Sequence, residues 1–300
     1  VYRKLLDNIL KNDLQTTYCV ALQAMALSEI DPGKYQSRIA QCGQFLVDNQ
    51  NPAGKWGYGE ATKPSVPTSS PLREDLATGS GPLPPPGKKP VKTLPKVKLQ
   101  LKQERKGKDK SDLSNCQYAA LGLRACMEAE VWPPKDILEM GMSAWQTLQC
   151  DDGGWEYKQP KKVGYGSMTA GAVGSLIIYS HFLQKPWKTD EFVKKGLDWM
   201  AANYTVSDNP KDTYHKNSKE WWIYYLYAME RLGVLAEMPQ IAGHDWYNEG
   251  AVQLLRIQTA DGSWPSVTDR PIADTCFAIL FLKRGTPPLV PVASEDNTKK

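Results

Sequence analysis

The chain alternates between two kinds of apolar segment, and this alternation predicts its secondary structure. In the first kind, apolar and small residues occur on all sides of a helix, which is typical of a buried helix. In the second kind, one apolar stripe recurs at helical spacing, which is typical of an outer helix. The predicted inner helices are Thr16–Leu27, Cys116–Met127, Met168–Phe182, Trp221–Leu232 and Thr275–Leu282. The predicted outer helices are residues 2–10, Tyr35–Val47, Lys135–Leu148, Thr189–Ala202 and Asp245–Ile257.

The inner and outer helices recur with a fixed period. Tyr118, Gly171, Tyr224 and Phe277 occupy equivalent inner positions and are each 53 residues apart. The pattern Gln-x3-Gly-x-Trp occurs three times, each time after an outer helix. Its Gln and Trp residues are Gln50 and Trp56, Gln149 and Trp155, and Gln258 and Trp264, which we interpret as structural residues that tie successive repeats together.

A repeated pair of inner and outer helices predicts an all-α protein with an α/α toroid or solenoid architecture. The chain supplies about ten helices, whereas a closed ring of six helix pairs needs about twelve. We therefore expect one toroid domain over residues 1–285, in which the sequence leaves open whether the helical ring is closed, and a loose tail over residues 286–300.

A Pro- and Lys-rich insertion interrupts this domain at residues 61–111. Residues 61–110 hold nine of the 22 prolines and no aromatic residue, so we expect a flexible loop. The same stretch carries 12 Lys/Arg against four Asp/Glu, whereas the whole chain has a net charge of +4. The folded remainder of the chain is therefore mildly acidic. The sequence therefore predicts no nucleic-acid interface. The basic residues over 88–110 suggest an acidic partner or a membrane surface as an alternative to a solvated loop.

The remaining composition changes the picture only slightly. The six cysteines form no CxxC pair, so we expect free thiols and neither a metal site nor a cofactor. No apolar run is long enough to span a membrane. The chain begins at Val1, so its native N-terminus is not visible, and a soluble cytoplasmic or periplasmic protein is the expectation.

The Gln-x3-Gly-x-Trp turns are similar to the QW repeat of squalene–hopene cyclases and oxidosqualene cyclases. Segments such as Asn115–Leu123, Asp152–Tyr157 and Asp274–Leu282 resemble bacterial proteins with prenyltransferase and squalene oxidase repeats. Protein prenyltransferase β subunits have the same ring of helix pairs. The resemblance covers residues 2–60 and 112–285, and it implies an α/α toroid whose central cavity takes an isoprenoid.

The catalytic motifs of these families are absent from the sequence. Neither Asp-x-Asp-Asp, which starts cyclisation by protonation, nor Asp-Asp-x-x-Asp, which binds Mg²⁺-diphosphate, occurs in the chain. Aligning the family's zinc motifs places Lys216, Ser218 and Asp274 at the ligand positions, and this set does not bind zinc. The resemblance therefore indicates the fold and a ligand class, and it leaves the reaction open.

The candidate site residues lie at or near the N-terminal ends of the predicted inner helices, where the resemblance places the cavity mouth. Asp274 and Glu220 are the candidate catalytic acids, with simple helix capping as the alternative. The candidate ligand-binding residues are Trp221, Tyr224, Tyr225, His215, Cys276 and Asp112. The aromatic members suit an isoprenoid or another elongated apolar ligand, and ordinary core packing is the alternative.

Three functions remain open at this point. The first is a terpenoid cyclase-like or prenyltransferase-like toroid that binds an apolar small molecule and has lost the known motifs. The second is a non-catalytic scaffold that binds a protein through its repeat surface and basic insertion. The third, a toroid that acts on polysaccharides, would need basic side chains along a groove, and the predicted inner helices contain only Arg124 and Arg231.

Overall fold

The protein is all-α, as the periodicity predicts. The computed structural model describes residues 2–61, 92–158, 163–215, 217–265 and 270–289, and within these ranges it has ten α-helices and two very short strands. The helices are α1 Tyr2–Lys11, α2 Thr17–Ile30, α3 Gln36–Asp48, α4 Leu113–Glu128, α5 Lys135–Thr147, α6 Gly166–Phe182, α7 Glu191–Ala202, α8 Trp222–Leu235, α9 Trp246–Ile257 and α10 Pro271–Leu282. Every predicted inner and outer helix corresponds to one of these.

The first compact unit spans Val1–Ala144. Its centre is the pair α2 and α4, and α3 packs against both of these helices. Helix α4 is buried along nearly its whole length, since 15 of its 16 residues are buried. Asp112 caps its N-terminus by accepting a hydrogen bond from the backbone N–H of Asn115, at 2.9 Å.

The second compact unit spans Trp145–Lys300. Here α6 packs against α8, α8 packs against α10, and α7 and α9 flank the inner helices. Asp190 and Asp245 cap α7 and α9 with their carboxylates, so the two outer helices begin where a capping residue precedes the apolar stripe. Inner helices α6 and α8 are almost wholly buried, as helices without a polar face should be.

The basic insertion differs from the expected flexible loop over residues 92–111. Leu99 and Gln100 form strand β1, which pairs in parallel with β2 at Val131 and Trp132. From residue 95 to residue 107, odd-numbered residues face inward and even-numbered residues face solvent, which is the period of an extended chain. The lysines and prolines that predict a flexible loop do not prevent this order, because every second residue turns inward. Residues 62–91 of the predicted loop lie outside the described residues.

Polar contacts as well as apolar burial fix this extended segment. Leu99 and Leu101 are buried in the first unit. The Gln103 side chain donates to the carbonyl of Val47 at 2.9 Å, and the Gly107 N–H donates to the carbonyl of Gln50 at 2.9 Å. Arg105 pairs with Glu60 at 3.1 Å. The segment therefore has hydrogen-bond partners for its backbone as well as an apolar side to bury.

The buried carboxylate of Glu230 binds the segment that follows α10 in the second unit. Glu230 of α8 accepts hydrogen bonds from the Thr286 N–H at 3.1 Å and from the Thr286 hydroxyl at 2.6 Å. Thr286 is buried, so the tail expected to be loose from residue 286 is fixed at its first residue. Residues 290–300 of that predicted tail lie outside the described residues.

Two of the three Gln-x3-Gly-x-Trp turns join one outer helix to the next. The Gln50 amide donates to the carbonyl of Ile137 in the first turn of α5 at 2.8 Å, and the Gln149 amide donates to that of Phe192 in the first turn of α7 at 3.0 Å. In the third copy, the Gln258 amide donates to Gly262 of its own turn at 2.9 Å.

The three tryptophans of these turns make the same contact. Each indole N–H donates to the carbonyl ten residues earlier, at 2.7 Å for Trp56, 2.8 Å for Trp155 and 2.9 Å for Trp264. All three rings are buried. Each tryptophan thereby fixes its turn to the outer helix that precedes it.

Candidate functional site

Polar and aromatic side chains meet in the second unit at the N-terminal ends of three inner helices. Tyr165 precedes α6, Trp221 precedes α8, and Arg270 precedes α10. The loop between α7 and α8 brings Asp212 and His215 to the same place. We call this group of five residues the α8 cluster.

Asp212 is the polar centre of the α8 cluster. One carboxylate oxygen accepts from the backbone N–H groups of Tyr214 and His215, both at 3.1 Å. The other lies 2.8 Å from the Asn209 amide nitrogen and 2.8 Å from Nδ1 of His215. The Asp212 side chain is fully buried. Because a carboxylate can only accept, Nδ1 of His215 carries the hydrogen, and Nε2 is the nitrogen able to accept a proton.

The Asp212 loop is attached to the N-terminus of α6 through Asn209. The side-chain Oδ1 of Asn209 accepts from the Ser167 N–H at 2.8 Å, and the backbone carbonyl of Pro210 accepts from the Gly166 N–H at 2.9 Å. Asn209 is completely buried. These bonds satisfy N–H groups that every helix start leaves open, and they hold His215 in a fixed position relative to α6.

Tyr165 lies between the His215 loop and α6. Its ring meets the ring of His215 edge to face, with centroids 6.5 Å apart. Burial, together with the negative charges of Asp212 and Glu156, raises the pKa of Tyr165 well above its ordinary value. Tyr165 is therefore a neutral phenol at physiological pH, able to donate a hydrogen bond.

Trp221 has a strained backbone at the start of α8. Its φ is 57° and its ψ is 18°, the left-handed region, which costs a bulky residue about 1–2 kcal/mol. Strained residues of this kind occur preferentially at functional sites. The Arg270 guanidinium lies over the Trp221 ring, 5.0 Å from its centroid, which is cation–π geometry.

A continuous series of ring contacts runs from the surface into the second unit. Tyr214 contacts His215 at 5.0 Å between centroids, His215 contacts Trp221 at 6.3 Å, and Trp221 contacts Tyr224 at 6.2 Å. Beyond Tyr224, the ring of Phe277 on α10 follows at 5.4 Å. Tyr214 is exposed, His215, Trp221 and Phe277 are half-buried, and Tyr224 is buried. We call these five residues the ring series.

The structure brings together three of the predicted ligand-binding residues, namely His215, Trp221 and Tyr224. Tyr225 is buried and donates its hydroxyl to the carbonyl of Thr205 at 3.1 Å. Cys276 is exposed on α10. Asp112 belongs to the first unit, where its carboxylate caps α4 and accepts from Ser114 and Asn115.

The two predicted catalytic acids lie at the starts of α8 and α10. Glu220 is half-buried and directly precedes Trp221. Asp274 is buried in the first turn of α10. Both residues therefore lie at helix N-termini.

Sequence reasoning missed several members of this group, namely Asp212, Tyr165, Arg270 and Tyr214. Asp212 stands three residues before His215, and this spacing within a turn is a local signal for an Asp–His pair. Arg270 and Tyr165 have no such signal, because folding alone brings the starts of α6 and α10 next to the His215 loop.

The described residues include no group of three or more His, Cys, Asp or Glu side chains arranged to hold a metal ion. Within the same residues, none of the helices combines the length and the hydropathy needed to cross a membrane. No protein-family model and no curated protein matches the chain.

Proposed function

We propose that the second unit binds an elongated apolar ligand of the isoprenoid type along the ring series, with the polar end of the ligand at the α8 cluster. The observation that carries this proposal is the unbroken order of rings from exposed Tyr214 to buried Tyr224. Aromatic faces hold polyene chains by dispersion and stabilise positive charge by cation–π attraction. The α/α toroid that the repeat predicts remains part of this proposal.

The polar end of the ligand would meet groups that favour negative charge. Arg270 contributes a permanent positive charge, and the N-termini of α8 and α10 add their partial positive charges. His215, fixed through Nδ1 by Asp212, offers Nε2 as an acid–base group. Asp274 and Glu220 remain the proposed carboxylic acids of this site.

Native mass spectrometry with farnesyl diphosphate and farnesol tests the binding proposal. We expect one ligand per chain, at least tenfold weaker binding by Trp221→Ala, and a preference for the diphosphate that Arg270→Gln removes. Trp187→Ala is the matched control, since Trp187 is also half-buried in the second unit but lies on a 3-10 helix away from the ring series. Equal binding by folded Trp221→Ala and the control would disprove the proposal.

The catalytic part of the proposal has a separate test. If a reaction of the bound ligand is detected, Asp274→Asn combined with Glu220→Gln should abolish turnover and leave ligand binding within about threefold. Unchanged turnover in that double variant would exclude both carboxylic acids, whereas binding at the ring series would still stand.

A second candidate function rests on the extended segment of the first unit. Its outward row carries Lys96, Lys98, Lys102 and Lys106, all exposed, and Glu104 is the acidic residue among them. Alternate residues of an extended chain are about 6.5–7 Å apart, so Lys96 and Lys98 are neighbours in one stripe, and Lys102 and Lys106 follow at about twice that spacing. We propose this stripe as the binding surface for an acidic partner, such as an anionic membrane surface.

Vesicle sedimentation tests the stripe. The protein should bind phosphatidylserine vesicles at low salt, lose that binding as salt rises, and ignore phosphatidylcholine vesicles. Lys102→Glu with Lys106→Glu should abolish the binding, and Lys211→Glu with Lys219→Glu in the second unit is the charge-matched control. Binding that survives in the stripe variant would contradict this function.

A further inference from the structure

Two of the five inner helices, α2 and α10, have apolar faces that are exposed to solvent, whereas α4, α6 and α8 are covered on nearly all sides. Helices α4, α6 and α8 have 15, 15 and 13 buried residues. Helix α2 has six buried residues, and α10 has only three, although α10 is apolar on all sides. A helix without a polar face is stable in water only where other helices cover it.

The open face of α10 is a regular apolar stripe. Ile272, Cys276 and Ile279 follow one another at helical spacing and are exposed, Ile272 by 81% and Ile279 by 44%. On the neighbouring outer helix α9, Val252 and Leu255 are exposed as well. We call these five residues the C-face.

The open face of α2 has the same character. Cys19 and Leu22 are exposed and half-buried Ala26 follows them at helical spacing. On the outer helix α1, Leu5 is 57% exposed. We call these four residues the N-face. Within the described helices, large exposed aliphatic side chains occur only in α1, α2, α9 and α10.

The third Gln-x3-Gly-x-Trp turn shows which kind of element the C-face would bind. In the first copy, a Cβ added to Gly54 would overlap the carbonyl oxygen of Met140 in α5, and in the second copy a Cβ added to Gly153 would lie 3.0 Å from the carbonyl oxygen of Lys195 in α7. In the third copy, a Cβ on Gly262 meets no atom within 4 Å. Among the described residues, this turn therefore lacks the outer helix that the first two turns contact.

We propose that the C-face of one chain binds the N-face of a second copy of the chain. Helix α10 of the first copy then packs against α2 of the second, and the third Gln-x3-Gly-x-Trp turn of the first copy contacts the first turn of α1 of the second. Inner helices pack against inner helices throughout both units, and an α10–α2 contact continues that interface. The two faces are different surfaces, so the contact is heterologous and leads to a closed ring or to a growing chain of copies.

Complementation between two single variants tests this contact. Ile279→Asp damages only the C-face, and Leu22→Asp damages only the N-face. In sedimentation equilibrium, we expect the unaltered protein to self-associate and each variant alone to have the 33.5 kDa mass of one chain. An equal mixture of the two variants should form a species of twice that mass and nothing larger, because one intact C-face then meets one intact N-face.

Leu94→Asp is the control for these variants, because Leu94 is 80% exposed but belongs to neither face. Circular dichroism of all variants should match that of the unaltered protein. A monomeric unaltered protein at every concentration would overturn the proposal. Association that persists in either single variant would also overturn it. Such a variant has only one intact face, so its association would have to join two like faces.

The two exposed cysteines provide an independent readout. Cys19 lies in the N-face and Cys276 in the C-face, and the other four cysteines are buried. Under mild oxidation, Cys19→Ser and Cys276→Ser should each stay uncrosslinked alone and give a disulfide-linked dimer when mixed. Crosslinked dimers of either variant alone would overturn the proposal, as would a disulfide formed only within single chains of the unaltered protein.

Discussion

At the residue scale, the Gln-x3-Gly-x-Trp turns place identical side chains in different surroundings. Gln50 is completely buried, and its amide donates both to the carbonyl of Gly54 in its own turn and to that of Ile137 in α5. Gln258 is exposed, and among the described residues it bonds only within its own turn. Two copies of one motif therefore serve as each other's control.

Replacing these two glutamines should have unequal effects. Gln50→Ala leaves the Ile137 carbonyl without its amide donor and should lower the free energy of unfolding by about 1–3 kcal/mol. Gln258→Ala should change it by less than about 0.5 kcal/mol, as for an ordinary surface position. Urea unfolding of both variants measures the difference, and equal effects would show that burial of the amide is irrelevant.

Glu230 makes the stability of the second unit depend on pH. Burial raises the pKa of its carboxyl above the ordinary value of 4.5, although the bonds from Thr286 and the charge of Arg231 oppose the shift. The folded chain then holds this proton more tightly than the unfolded chain does. The stabilisation is complete below the unfolded pKa and is lost as pH rises through the raised folded pKa.

Replacing Glu230 should remove this contribution to the pH dependence. Between about pH 4 and about pH 7, the urea midpoint of Glu230→Gln should fall less with rising pH than that of the unaltered protein. Glu237→Gln on the exposed surface is the control. If the two variants show parallel pH profiles, Glu230 does not bind its proton more tightly on folding.

At the element scale, the glycine of each turn sets how closely the next helix approaches. Gly54 has a φ of 73° and Gly262 a φ of 85°, so alanine strains both by about 1 kcal/mol. Only at Gly54 would the new methyl group also overlap the α5 backbone.

Gly54→Ala should therefore destabilise the protein clearly more than Gly262→Ala does. We expect about 1 kcal/mol for Gly262→Ala and at least about 2 kcal/mol more for Gly54→Ala, because backbone atoms of α5 must move. Thermal unfolding of the two variants in dilute solution checks this. Equal losses would mean that α5 moves aside without cost.

Regular patterns make the helices predictable, and composition hides one further regular pattern. A 53-residue period that repeats the same apolar segment predicts the inner helices, and a single apolar stripe predicts α7. The segment around Leu99 and Leu101 also has a regular pattern, with alternate residues turned inward. Its lysines and prolines concealed this pattern, because composition reports an average and alternation depends on order.

The candidate site was predictable only where its residues are local in sequence. His215, Trp221 and Tyr224 lie within ten residues of one another, and their proximity follows from one turn and one helix. The contacts of Tyr165 with His215, and of Arg270 with Trp221, join segments about 50 residues apart. Only the packing of α6, α8 and α10 brings those segments together.

At the scale of the whole molecule, the six cysteines divide into two classes of reactivity. Cys42 and Cys116 are buried, and burial raises the pKa of each thiol to about 12. Burial also raises the pKa of Cys126, and Cys150 is buried as well. Cys19 and Cys276 are exposed. Since the thiolate is the reactive form, only the exposed pair should react in the folded chain.

Alkylation should display this division directly. In dilute native solution, N-ethylmaleimide should add to Cys19 and Cys276 alone, and in denaturant it should add to all six cysteines. Intact-mass spectrometry counts the adducts, and peptide mapping locates them. A third native adduct would show that one of the buried thiols is reached through an opening of the fold.

The extended segment of the first unit also has a consequence for proteolysis. By composition, Lys102, Arg105 and Lys106 look like a preferred site for trypsin. A protease must draw its substrate out into its own cleft, and here the N–H groups of Leu101, Glu104 and Gly107 are already bound to Trp132, Asp48 and Gln50. Cleavage after these three residues therefore requires that the segment first dissociate from the helices. The most basic stretch of the described chain should accordingly be digested by trypsin more slowly than its composition suggests.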